Sequence, residues 1–382
     1  MEPIRVLYVN GGIMQRAGTE SYMMNYYRNI DRTKIQIDFI VHGNEKGVYD
    51  DEIKELGGEI YNVPVKSKDY IGNIKAIESI LKTGKYKIIH SHMDAMSMVV
   101  LKIAKKCGIP IRIAHSHNTQ HHTKNKIKFI LNEYARKNIC KYATHLFACS
   151  EDAARWLFGD EAINEGNVKI INNAINIEKF KFNKKKRDIL RENMCITDNF
   201  VIGHIGRFDY QKNHIFLLDI FKETLNYIPN AKLVLVGDGH LRKEIEKKIK
   251  DIGIEDDVIL TGNVENVYEL INTFDLFILP SLFEGLGIVL IEAQANGLPC
   301  IASNNVPKDV NLSNLVSFVD LNDTLRTWVD KIIELKKENL NRENAYTVLE
   351  SCGYNISIEA KRLEKIYLSL YEEYLYDNNI FN

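Results

Sequence analysis

Short apolar runs rich in β-branched residues alternate along this chain with helical stretches, and the alternation occurs twice. In the first half the runs are "IRVLYVN" (4–10), "IQIDFIV" (35–41), "YKIIHSH" (86–92), "IRIAHSH" (111–117), "THLFACS" (144–150) and "VKIINNA" (168–174). Between them lie patterns such as the segment from Gly18 to Asn29, "NIKAIESILKTG" and "SMVVLKIAKKCG", the last two closed by a glycine C-cap. Strand–helix alternation of this kind specifies a parallel, doubly wound sheet.

The alternation pauses at "IEKFKFNKKKRDILRENMCITDNF" (177–200), which is basic, polar and poor in strand signal. It resumes with "FVIGHIG" (200–206), "AKLVLVGDG" (231–239), "DVILTGN" (257–263), "DLFILPS" (275–281) and "LPCIAS" (298–303), with helices expected at 213–227, 240–252, 266–273 and 288–296. The expected fold class is therefore α/β, two Rossmann-like domains with a ligand cleft at the carboxyl ends of both sheets. At 382 residues the chain exceeds what one core usually supports. The division reads as a first domain at 1–178, a connection at 179–199, a second domain at 200–355, and a final amphipathic helix in 356–382 with Ala360, Leu363, Ile366, Tyr367 and Leu370 on one face.

Six scattered cysteines without a CxxC pair argue against a disulfide framework or zinc ribbon and fit a cytoplasmic setting. The N-terminus lacks the pattern of a signal peptide, and no apolar run reaches the length of a membrane span, so a soluble or peripheral protein is expected. Net charge is −1, but residues 1–180 carry 26 basic against 20 acidic side chains and residues 181–382 carry 24 against 31. No carboxylate occurs between Asp94 and Glu133, a stretch holding Lys102, Lys105, Lys106, Arg112, Lys124, Lys126 and Lys128. Such a region (95–141) is either a pair of solvated helix faces or a surface for anionic phospholipid or a phosphate-bearing substrate. Nucleic acid is disfavoured because no binding motif accompanies the bases.

The strand-to-helix loops carry the chemistry. "GGIMQRAGTES" offers glycines and a helix start near Gly18, whose backbone N–H groups suit an anion, but it is not GxGxxG. "GRFDYQKNH" places Arg207 and Lys212 five apart at a strand end, two cations suited to a diphosphate or, more plainly, to solvent. "LVGDGHL" reads as a structural turn, and "LTGNV" lays backbone where a nucleobase would fit. In "FEGLGIVLIEAQANGLP" (283–299), Glu284 precedes a helix start and Glu292 lies in that helix, so both carboxylates border one pocket, with Gly285 and Gly287 allowing close approach of a ligand. Glu292 suits a vicinal diol, each oxygen accepting one hydroxyl; the alternative is a helix-dipole glutamate.

Two "HSH" pairs, His90/His92 and His115/His117, end predicted strands, and His121 and His122 follow. Zinc is disfavoured because no carboxylate or cysteine is expected near the second cluster and HExxH is absent. One of His115 and His117 is expected to reach the cleft and meet a substrate hydroxyl, with the others in the core. No DxD pair occupies a strand-end loop, so no metal is expected.

"PSLFEGLGIVLIEAQANGLPCIAS", with "HIGRF…QKNH", "LVGDGHLRKEIE" and "IINNAINIEKF", resembles the retaining, GT-B-fold glycosyltransferases of family 4, and most closely bacterial capsular and exopolysaccharide transferases, for which "RIAHSHNT" is also typical. The resemblance spans nearly the whole chain and aligns Glu284 and Glu292 with the family's EX7E element. It implies a nucleoside diphosphate sugar as donor and a saccharide, lipid-linked or not, as acceptor, in a first domain that binds acceptor and a second that binds donor. Arg207 and Lys212 would hold the diphosphate in place of a metal, Glu292 the ribose, and Glu284 the donor sugar. Backbone of Gly285, Leu286 and Gly287, with Gly18, would contact phosphate or sugar, and Val264 would lie near the base. His117, more than His115, would contact the sugar, with Asn118 beside it, and the last helix would cross back to the first domain. The protein would act at the inner face of the plasma membrane.

Two stretches depart from the family pattern: Asn173-Ala174-Ile175-Asn176 stands where Asn-Gly-Ile-Asp is frequent, and Gly287 where proline is, which suggests a more mobile loop. The rival readings are a sugar-nucleotide epimerase or hydrolase of the same fold, a glycosidase using both glutamates, and a non-catalytic scaffold of a polysaccharide assembly complex.

Overall fold

The computed structural model describes residues 2–15, 17–121, 123, 125–338 and 341–378; His122 and Lys124 lie outside them. The chain forms two compact units, one from the residues up to Ala174 together with those from Ile356 onward, the other spanning Ile175–Asn355.

The first unit holds a parallel seven-stranded sheet of β1 (Ile4–Val9), β2 (Ile35–His42), β3 (Ile60–Val63), β4 (Ile88–Ser91), β5 (Ile111–Ser116), β6 (His145–Ala148) and β7 (Val168–Ile170), in the order β3-β2-β1-β4-β5-β6-β7. β2 is buried along its whole length, as expected of a strand covered by helices on both faces. β3, "IYNV", was not among the expected strands, because it is a four-residue edge strand with a solvent-facing Asn62 that breaks the apolar run. The closing helix Ile356–Asp377 belongs to this unit. It buries Ala360, Leu363, Tyr367 and Leu370 in the same core as Tyr22, Met23 and Tyr26 of the Gly18–Asn29 helix, a stripe at helical spacing that contains most of the face read from the sequence.

The second unit holds β8 (Phe200–Ile205), β9 (Ala231–Val236), β10 (Val258–Gly262), β11 (Leu276–Leu279), β12 (Cys300–Ser303) and β13 (Val316–Val319), in the order β10-β9-β8-β11-β12-β13. Winding reverses between β8 and β11, and such a switch point opens a crevice at the strands' carboxyl ends. β13 is again a short edge strand absent from the expected set.

Residues 179–199, expected to be a connection, are part of the second unit's body. The helix Lys184–Asn193 is fastened there because Arg187 and the buried Arg191 both pair with Asp275, whose carboxylate also accepts the Val201 N–H at 2.8 Å. The polar run that reads as a linker is thus an arginine-lined helix face folded onto β8 and β11.

Candidate functional site

At the switch point the loops after β8 and β11 meet. Lys212 Nζ donates to Glu284 Oε1 at 2.6 Å, and both side chains are largely buried. Ser281 Oγ donates to the same oxygen at 2.6 Å, and Gln211 Nε2 donates to the other at 3.2 Å and to the Phe283 carbonyl at 2.9 Å. Three donors therefore hold the Glu284 carboxylate in one orientation, which satisfies its burial. Ser281 and Gln211 are site residues that sequence reasoning passed over; the signal was their adjacency to Pro280 and Lys212 in the two strand-end loops.

Arg207 is placed differently. Its Nε donates to Asp209 Oδ2 at 2.9 Å and its side chain stays 69% exposed, so it lies on the same loop as Lys212 with most of its guanidinium free to meet a ligand. Asp209 also caps the short turn Tyr210–Lys212 by accepting the Gln211 N–H at 3.0 Å. Asn213, in the left-handed region at φ 56°, then ends that turn, and the helix His214–Leu225 begins. His214 beneath it is buried, and burial together with the charge of Lys212 pushes its pKa down to about 4. The imidazole is therefore neutral at physiological pH.

The "LVGDGHL" turn stacks directly on this loop. Phe208 N–H donates to the Asp238 carbonyl at 2.9 Å and Leu241 N–H to the Phe208 carbonyl at 3.1 Å. Gly237 has φ 135°, and a Cβ there would stand 2.1 Å from the Gly206 carbonyl oxygen. The turn is structural, and what it shapes is the backbone that carries Arg207. Val264, in the next strand-end loop, is half-buried against the apolar core of the unit.

Glu292 sits in the helix Ile288–Ala295, which begins at Gly287. Gly287 has φ 83°, a conformation closed to proline, so the backbone here follows a path that proline could not take. Leu286 turns its side chain into the core, leaving Gly285 half-buried in the loop. Glu292 is half-buried too, and no hydrogen bond or ion pair reaches its carboxylate among the described residues. Burial pushes its pKa up to about 8. A helix-dipole glutamate would occupy the first turn, whereas Glu292 is the fifth residue of the helix, beyond the reach of that effect.

In the first unit Gly18 opens its helix with no side-chain cap, and a Cβ on it would meet nothing within 4 Å. The histidines form a buried stack. His90 Nε2 and His115 Nδ1 are 3.0 Å apart, and His92 Nδ1 and His117 Nε2 2.9 Å. His90 Nδ1 lies 2.6 Å from the Tyr367 hydroxyl, itself 2.9 Å from that of Tyr8. Burial holds all four imidazoles well below their ordinary pKa, His117 at about 3. Ring nitrogens of His90, His92 and His115 lie within 4.8 Å of one another, but His90 spends both of its own on Tyr367 and His115, which is a hydrogen-bond arrangement rather than a set of convergent lone pairs.

His115 has no exposed surface, and its Nε2 has no hydrogen-bond partner among the described residues. His117 is nearly as buried, and its Nδ1 likewise has no partner among the described residues. Asp94, which sequence reasoning did not single out, fixes this corner: its Oδ1 accepts the His117 N–H at 2.7 Å and its Oδ2 the Asn118 side-chain N–H at 2.7 Å, with Asp94 itself at φ 46°. Contrary to expectation, carboxylates do lie near the second histidine cluster: besides Asp94, the helix Lys126–Asn138 puts Glu133 Oε1 2.7 Å from His121 Nε2.

Two doubly wound α/β units in one chain, the second bearing a lysine–glutamate pair at its switch point and a further glutamate on the next helix, define a GT-B glycosyltransferase. A solved structure of HepE from Anabaena in complex with UDP-glucose has the same fold, with a TM-score of 0.75 at 18% identity over 96% of this chain and 100% of that one. Residues 16–179 match the model of Glycosyltransferase Family 4 and residues 185–347 that of Glycosyl transferases group 1. EpsF of Bacillus subtilis (strain 168) is 35% identical over 374 residues, covering 95% of this chain and 96% of the relative. A UDP-Gal:alpha-D-GlcNAc-diphosphoundecaprenol alpha-1,3-galactosyltransferase of Escherichia coli is 24% identical over 311 residues, covering 77% and 78%. The chain belongs to the group 1, family 4 glycosyltransferases, and it is an enzyme of sugar transfer.

Proposed function

We propose that the chain transfers a hexose or N-acetylhexosamine, with retention at the anomeric carbon, from a nucleoside diphosphate sugar to a hydroxyl of a lipid-linked saccharide during capsule or exopolysaccharide synthesis. The observation that carries this reading is the Lys212–Glu284 pair at the switch point, with the half-buried and unpartnered Glu292 eight residues on. Support comes from the donor in the HepE structure and from the acceptor in the Escherichia coli relative's name.

In this reading Arg207 and Lys212 bind the diphosphate and stabilise the charge that grows on it as the glycosidic bond breaks, with no metal required. Glu292 takes the ribose hydroxyls, and Glu284, held by Ser281 and Gln211 when Lys212 turns to phosphate, takes hydroxyls of the donor sugar. Backbone N–H groups of residues 285–287 contact phosphate or sugar, and Val264 flanks the base. The first unit binds the acceptor, with Gly18, His117 and Asn118 contributing to the sugar site. The acceptor hydroxyl attacks the face from which the nucleotide departs, and a phosphate oxygen of the leaving group receives its proton, so no protein base is needed. Transfer takes place on the cytoplasmic side, with the basic region 95–141 touching the membrane.

The test is turnover of a panel of nucleotide sugars with a polyprenyl diphosphate saccharide. Arg207→Ala and Glu292→Ala should each abolish transfer while leaving the circular dichroism spectrum unchanged; near-normal rates in either variant would overturn the assignment. Sugar release without any acceptor would instead point to a hydrolase or epimerase.

A further inference from the structure

The helix Lys126–Asn138 presents an apolar stripe outward. Ile127, Ile130, Leu131 and Tyr134 recur at spacings of three and four, so they share one face, and they are 71%, 66%, 59% and 63% exposed. The helix is anchored on the flank of the stripe by the buried Ala135 and on the far side by Arg136, which donates to the Trp156 carbonyl at 2.7 Å. The side that would normally be polar is therefore the apolar one, and four large exposed side chains on one helix face, with Phe129 a fifth outside it, exceed ordinary surface scatter.

The rim around the stripe is cationic. Lys126, Lys128 and Lys137 lie exposed on the helix and Lys141 just beyond it, while Lys105 Nζ donates to the Lys141 carbonyl at 3.3 Å. The helix's one carboxylate, Glu133, is paired with Arg136 at 2.9 Å and lowered to about 2 by it and by His121. Arg112, by contrast, spends its guanidinium on the carbonyls of Tyr142, Ile109 and Pro110, and Lys106 is paired with Glu78, so neither belongs to this rim.

An apolar stripe bordered by unpaired-sign lysines matches the boundary between anionic headgroups and acyl chains. We propose that this helix seats on an anionic phospholipid bilayer, with Ile127, Ile130, Leu131 and Tyr134 below the headgroups and the lysines among them. The inference rests on the reading of a lipid-linked acceptor and sharpens it: the basic region contributes through one helix, and by insertion as well as by charge. A second copy of the chain is a poorer occupant, because the same lysine rim would face itself across a twofold interface.

Flotation of the full chain with vesicles of phosphatidylcholine alone, and with phosphatidylglycerol added, tests it. Binding is expected only with the anionic lipid, and Ile130→Asp combined with Leu131→Asp should weaken it by at least about tenfold. Lys126→Glu with Lys128→Glu should weaken it too, whereas Ile71→Asp, at an exposed position on another helix, should leave it unchanged. Tyr134→Trp should shift its emission to the blue on vesicle addition. Binding that ignores lipid charge, or that survives the Ile130/Leu131 change, overturns the proposal. So does a wild-type dimer that the same change converts to a monomer, which would make the stripe a self-interface. Turnover with a water-soluble acceptor, read in parallel, separates the two layers: vesicle binding without sugar transfer sinks the functional reading alone, and transfer without vesicle binding sinks the docking alone.

Discussion

Lys212 Nζ and Glu284 Oε1 stand 2.6 Å apart although 72 residues separate them, and the neighbouring positions of β8 and β11 are what bring them together. Breaking such a largely buried pair leaves an uncompensated charge, so Lys212→Met should cost about 3 kcal/mol of stability. Combining it with Glu284→Gln should recover part of that loss. Urea denaturation of the single and double variants measures the coupling; strict additivity would mean the pair contributes nothing.

Glu292 yields a proton signature. With its pKa at about 8 in the free protein, the group is mostly protonated at pH 7, and hydroxyl donors from a ribose favour the ionised form. Nucleotide binding should then release a proton near neutral pH. Calorimetry of UDP binding in buffers of different ionisation enthalpy reads it, and the release should vanish in Glu292→Gln.

The same shift has a stability consequence. A carboxyl whose folded pKa exceeds its unfolded value contributes fully below the unfolded pKa and loses that contribution as pH rises through the folded one, here between 4.5 and about 8. Glu292→Gln, which cannot ionise, should therefore gain stability over the wild type as pH is raised across that window. Equal pH slopes in both proteins would contradict a desolvated, unpartnered carboxyl.

The buried histidines act in the opposite direction. Folded values held below 6.5 keep their contribution in full above pH 6.5 and lose it as pH falls, each group at a slope of about 1.4 kcal/mol per pH unit. Denaturation midpoints should drop steeply from pH 6.5 toward 5, with a proton uptake greater than one histidine supplies.

Gly237→Ala should destabilise by about 2 kcal/mol or more, since the new Cβ meets a carbonyl oxygen and the positive φ disfavours it. Because the displaced backbone carries Arg207, nucleotide affinity should fall with it. Intact affinity in the folded variant would show that the two turns move independently.

Much of this was legible in the sequence because strand and helix periods survive without context. The alternation showed both sheets, and the spacing of Glu284 and Glu292 around two glycines pointed to the candidate site. What sequence left hidden depends on sheet order. The mutual pairing of Lys212 and Glu284 follows from the switch point, and the cross-strand pairing of His90 with His115 follows from β4 lying beside β5. β3 and β13 escaped notice because edge strands need little apolar surface. Residues 179–199 read as a linker because the partner of their arginines, Asp275, lies more than eighty residues further on.

Tyr367 belongs to the last helix yet bonds to His90 and approaches Tyr8 of the first strand. The core of the first unit is therefore incomplete until the helix Ile356–Asp377 has been made, and that helix is synthesised only after every residue of the second unit. Although nascent domains generally fold in order from the N-terminus, here the half that is made first must be the last to finish.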